Sequence, residues 1–274
     1  QGIEGDVGPA TGNVKFPGDI KITGNVLPGY SVIAGRSVLV AHSAESCLIS
    51  SGGRVIVNQG IKGQGKGVIR ARNTIETAFV EKATLMAVED IRVKIGCALC
   101  NIKTNGKLFI ASDKGKLVGG VCQARRGIDT GDIGSERGSR TEIFFGQDYL
   151  VKDQIGAAEE EISRTRSALV QIDEQIKQVQ HIPSSLETAR AEKVRLLKLL
   201  EQLNLKVFTL REKFEEHHES EIRIRGTIYP GVVIESHDRY YEIKQTRSQV
   251  VFFFDREDGR IREKSLNAAD RAGV

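Results

Sequence analysis

Between Ser31 and Thr130 one short pattern returns six times: an apolar residue, a small residue two positions on, a few turn residues, then apolar-x-apolar. Its first position is held by Val32, Ile49, Ile69, Leu85, Ile102 and Cys122, spaced 17, 20, 16, 17 and 20. A later position is held by Val38, Val55, Ile75, Ile91, Leu108 and Ile128, with the same five spacings. Two columns that drift together define a repeat. Strand-like units recurring near every 20 residues stack into a solenoid, each coil burying its apolar face only against its neighbours. The composition suits this: 29 Gly, no Trp and 5% aromatics are poor material for a core of large rings, but good material for stacked short strands with tight corners.

The same patterning starts earlier. In Gly12–Phe16 and Gly18–Ile22, alternation turns Val14, Phe16, Ile20 and Ile22 inward and Lys15 and Lys21 outward. Residues 1–11 read as a linker remnant, and 12–146 as the β-solenoid. The two 20-residue spacings mark insertions at Gly60–Gly67 and around Ser112–Gly120, both expected to be widened corners. The first imitates most of a phosphate-binding loop in Gly60-x4-Gly65-Lys66. Gly67 stands where a Mg²⁺-holding Ser or Thr is needed, and no helical pattern follows to bind phosphate at its N-terminus.

At Gly146 the period changes. Ile155, Ala158, Ile162, Thr165, Leu169, Ile172, Ile176 and Val179 are spaced alternately three and four apart, a heptad seam. Pro183 interrupts it, and Ser184-Ser185-Leu186-Glu187 reads as a capping box opening a second helix. That helix has its own seam through Leu186, Ala189, Lys193, Leu196, Leu200, Leu203, Val207, Leu210 and Phe214. So short a connection predicts an antiparallel coiled-coil hairpin over 147–220. His217-His218 among acids at its end points about 100° apart around a helix, so the two do not form a metal pair.

Strand patterning resumes at Glu221. Gly226-Thr227-Ile228-Tyr229-Pro230-Gly231-Val232 echoes Gly24 to Val32, with Pro-Gly at the same corner. The hairpin is therefore an insertion, and 221–266 continues the solenoid. Strands at Tyr240–Lys244 and Gln249–Asp255, then a turn at Glu257–Arg260, form a β cap over its end. Residues 267–274 form a frayed tail. The chain opens at Gln1 and its one Met is Met86, so a preceding domain in a longer protein is expected.

The tempting chemistry is weaker than the register. Cys47 and Cys100 share a column three coils apart, about 14 Å at the strand-stacking distance, too far for one zinc. Cys97-x-x-Cys100 and Cys122 are read as buried small hydrophobes in a reducing compartment. A carbohydrate-active β-helix enzyme needs carboxylates gathered on one face. Glu76 with Arg92, and Glu89 with Lys107, read instead as surface pairs between coils. A hexapeptide-repeat acyltransferase needs strict six-residue spacing and a projecting His, whereas His42 is the only His in the repeats. Residues 1–145 carry 19 Lys+Arg against 13 Asp+Glu, +6, which leaves polyanion binding as an alternative, though nucleic acid is not the expected partner. No catalytic, cofactor-binding or metal-ligating residues are expected, no cofactor, and no membrane span.

Taken together, Thr11-Gly12-Asn13-Val14, Gly18-Asp19-Ile20, Gly60–Gly67, Phe79-Val80-Glu81-Lys82-Ala83, Ile133-Gly134-Ser135, Thr141-Glu142-Ile143 and Gly226–Val232 around a coiled coil resemble the bacterial flagellar assembly protein A family. Lys82 departs from an expected Asn, and Arg72-Asn73 from a Gly-Gly corner. The resemblance implies a mainly β cytoplasmic protein, a right-handed parallel β-helix with an antiparallel coiled-coil hairpin. It also implies a separate N-terminal domain and no established catalytic residues. The expected role is a non-enzymatic scaffold or adaptor. Its hairpin would be an arm for a protein partner of the flagellar or cell-pole machinery, with oligomerisation left open.

Overall fold

A computed structural model describes residues 1–179, 181–216 and 218–267. His217 and the tail beyond residue 267 lie outside the described residues. The chain divides into two compact units, Gln1–Tyr149 with His217–Val274, and Leu150–Glu216.

The first unit is a parallel β-solenoid of about eight coils. Each step of the repeat is a parallel pairing in the predicted register. Val32 stands beside Ile49, Ile49 beside Ile69, Ile69 beside Leu85, Leu85 beside Ile102 and Ile102 beside Cys122. Val38, Val55, Ile75, Ile91, Leu108 and Ile128 stack likewise. The inward residues of both columns are almost wholly buried.

A third ladder runs along the solenoid: Val7, Val26, Ala44, Ile61, Val80, Cys97, Leu117, Ile133 and Ile228. This corrects the reading of Gly60–Gly67 and Ser112–Gly120 as widened corners throughout. Gly60-Ile61-Lys62 and Lys116-Leu117 are ladder members, and only the residues around them bend. The expected linker remnant is corrected too. Gly2–Ile3 pairs with Lys21 and Ile22, and Val7 is fully buried, so residues 2–7 already belong to a coil.

The corner that follows the third ladder needs one residue in the left-handed region. Ser46, Gln64, Lys82 and Leu99 take it at φ 41°, 49°, 47° and 54°, and Gly29 and Gly231 take it behind their prolines. Lys82 is therefore held in a conformation that side chains disfavour by about 1–2 kcal/mol. Its side chain is half exposed. Lys82→Gly should raise stability by about 0.5–1 kcal/mol after the extra unfolded-state entropy of glycine is counted. A thermal melt read by circular dichroism checks this; an unchanged or lower midpoint contradicts it.

The coil interrupted at Phe145 resumes at Glu221. Ile222 lands on Ile128, Ile224 on Thr130, Ile228 on Ile133 and Ile234 on Ile143, all parallel. Arg225 ties the returning strand down. It forms an ion pair with the buried Asp129 and donates to the Ile110 carbonyl at 2.6 Å. Arg247–Asp255 then pairs antiparallel to Glu221–Ile228, and Arg260–Ser265 antiparallel to Arg247–Asp255. Phe252, fully buried, closes the core at that end.

The second unit is a pair of helices, α1 (Tyr149–Gln178) and α2 (Pro183–Glu215); α1 begins one residue before the unit boundary. Both seams hold: Ala158, Ile162, Leu203 and Val207 form a buried cluster, with Leu199 and Leu200 against it. Lys193–Asp173 at 2.6 Å and Arg211–Glu159 at 2.7 Å bridge the helices in antiparallel order. The capping box does not form. Pro183 occupies the first turn of α2, and Ile182, the N-cap, supplies no side-chain bond. Proline suits that place because its missing N–H is one the helix leaves unpaired anyway.

Candidate functional site

Among the described residues nothing in the solenoid gathers metal-ligating groups, and the place in the coil where the helices leave and the chain returns is the candidate. Asn105, Arg125 and Gly146 stack there, each three residues beyond its column residue Ile102, Cys122 or Ile143. Gly146 turns the chain at φ 85°. The Asn105 amide donates to Asp148 Oδ1 at 2.8 Å and accepts the Tyr149 N–H at 3.2 Å. A side chain from an earlier coil thus caps the first residue of α1.

Arg125 forms an ion pair with Asp148 at 3.2 Å, and its guanidinium lies 2.7 Å from His218 Nε2. The His218 N–H donates to the Gly146 carbonyl at 3.3 Å, which brings departing and returning strands side by side. Gln147 accepts the His237 N–H at 3.2 Å. Tyr149 is buried, which pushes its phenol well above its usual value. The charges are paired and the phenol is neutral, its hydroxyl buried with no hydrogen-bond partner among the described residues. Chemically the root is an anchor.

Among the described residues neither Glu76–Arg92 nor Glu89–Lys107, expected as surface pairs between coils, forms an ion pair; each residue finds other partners or none. Arg92 stands beside Glu76 in register but pairs with Asp90 at 3.3 Å and lies over Phe109. Glu89 accepts from Asn73, and the Lys107 backbone N–H donates to Asp90. Among the described residues no cluster of His, Cys, Asp and Glu could hold a metal ion.

All four cysteines are free and buried. Burial pushes the Cys47 thiol up to about 12 and raises Cys97, Cys100 and Cys122 as well. Since only the thiolate attacks, native protein should label slowly with a thiol-specific disulfide reagent, with little acceleration from pH 7 to 9. Denatured protein should release all four. Rapid native labelling of any one contradicts the burial.

The root was missed from the sequence because its side-chain contacts join residues 23 to 93 positions apart. The signal was present: once the columns are set, Asn105, Arg125 and Gly146 fall at one corner. A family model described as the Flagellar Assembly Protein A beta solenoid domain matches residues 2–261. No curated protein and no solved structure matches the chain.

Proposed function

We propose, from the fact that the chain belongs to the Flagellar Assembly Protein A β-solenoid family, that it serves flagellar assembly as a non-catalytic scaffold. The solenoid is the rigid element, and the α1–α2 hairpin is the surface that a protein partner recognises. The observation that carries this reading is the separateness of the hairpin. It has its own small apolar cluster, distinct from the solenoid core, and interrupts a coil that the returning chain completes. A solenoid gains no coil contacts from such an insertion, so its use lies in what it presents. Among the described residues no helix is long and apolar enough to cross a membrane, which fits a cytoplasmic location for the scaffold.

Affinity capture from a flagellated cell tests it. The full chain and a chain lacking Leu150–Glu216 are used side by side, and the bound proteins are identified by mass spectrometry. Flagellar components should be retained by the full chain and depleted from the shortened one. Equal recovery on both would move the contact to the solenoid.

A further inference from the structure

The helix α2 carries a second apolar stripe that its seam does not use. Val194, Leu197, Leu205 and Phe208 are 51%, 47%, 67% and 60% exposed. At 100° per residue they fall within an arc of about 80°, centred on Glu201 and about 130° around the helix from the seam. The stripe can thus be covered while α1 stays in place.

Its order is symmetric. Val194 and Phe208 each stand seven residues from Glu201; Leu197 and Leu205 each stand four. We infer that this face of α2 pairs with the same face of a second copy of the chain, antiparallel, about a two-fold axis at Glu201. An isologous contact requires this self-complementarity: residue i meets j, and j meets i. Val194 then meets Phe208, and Leu197 meets Leu205.

The charges select the direction. In the antiparallel register the exposed Arg190 stands opposite Glu212 of the second copy, at both ends of the stripe. A parallel pairing sets Arg190 on Arg190 and Glu212 on Glu212. Glu201 faces itself at the axis, and Lys198, less than one turn away on each copy, offsets that repulsion. The next pair outward, Glu187 with Glu215, is like-charged and ends the contact. A lipid surface is a poorer occupant, since Glu201 sits in mid-stripe. The stripe spans about 21 Å of helix. That is small beside the ~800 Å² per partner of a standard interface, so the dimer is concentration-dependent. The pairing needs no flagellar component, and its failure leaves the scaffold reading untouched.

The test uses the full chain. Sedimentation should show mass rising towards twice the monomer with concentration, and L205E/F208E should weaken the association about tenfold or more, with helical circular dichroism retained. V194C and F208C chains, mixed and oxidised with copper phenanthroline, should cross-link to each other, while neither cross-links alone; the native thiols are buried. A wild-type monomer at about 100 µM overturns the inference, well above the range of most specific pairs. Self-cross-linking of V194C overturns the antiparallel register. A dimer unchanged by L205E/F208E overturns the face. If that variant does not fold, the cysteine pair decides alone.

Discussion

Excision of Leu150–Glu216, with Tyr149 joined to His217 through a few glycines, leaves a folded β-protein. Among the described residues, the solenoid core contains no residue of the excised segment, and the hairpin's cluster contains no residue of the solenoid. The gap is short, because the His218 N–H already bonds the Gly146 carbonyl. The helical signal at 222 nm should fall steeply, while a single cooperative melt remains. The midpoint should stay within several degrees of the parent, the cost being the loosened Asn105–Asp148–Arg125 anchor. Aggregation, or loss of a cooperative transition, would show that the hairpin is part of the solenoid's folding unit.

The second large effect concerns the return of the chain. Gly127 sits at φ 89°, and a Cβ placed there would come 2.0 Å from the Glu221 carbonyl oxygen, on the first residue of the returning strand. Backbone cannot swing aside as a side-chain tip can. Gly127→Ala therefore meets both left-handed strain and a clash that splits the re-entered coil from the one beneath it. A loss of about 3–5 kcal/mol is expected, the range of the named severe mechanisms. Gly5→Ala is the control. Gly5 has φ 81° with open space around it, so the strain acts alone and costs about 1–2 kcal/mol. Denaturant unfolding of the two variants separates clash from strain, and equal losses would mean that the Glu221 strand does not lie where Gly127 needs room.

How far the sequence could be read depended on which residues face inward. Two ladders were legible because Val, Ile and Leu hold nearly all their positions, each paired with a second inward residue two places on. The third was hidden because it contributes one short contact per coil, and that contact is Ala44 in one coil and Cys97 in another, among glycines and lysines that read as loop. The first coil was hidden for the same reason, with only Ile3 and Val7 pointing in. The cysteines were legible as core from register alone. The helix seams were legible because heptad spacing needs no tertiary knowledge. The cap of α2 was not, since Pro183 and Ser184 offer competing starts one residue apart. The outer stripe of α2 was passed over because periodicity reports the strongest face, and Val194, Leu197, Leu205 and Phe208 form the weaker of two. The anchor at the root depends on stacking, so local sequence around Asn105 or Asp148 gives no sign of it.

The claim at the centre is that the hairpin, and not the solenoid surface, carries the contact used in flagellar assembly. The most direct measurement is swimming and flagellum number in a flagellated cell that lacks this protein, supplied with either the full protein or the same protein without Leu150–Glu216, at matched abundance. The account predicts that the full protein restores both and that the shortened one, though folded, restores neither. Restoration of both by the shortened protein would contradict it.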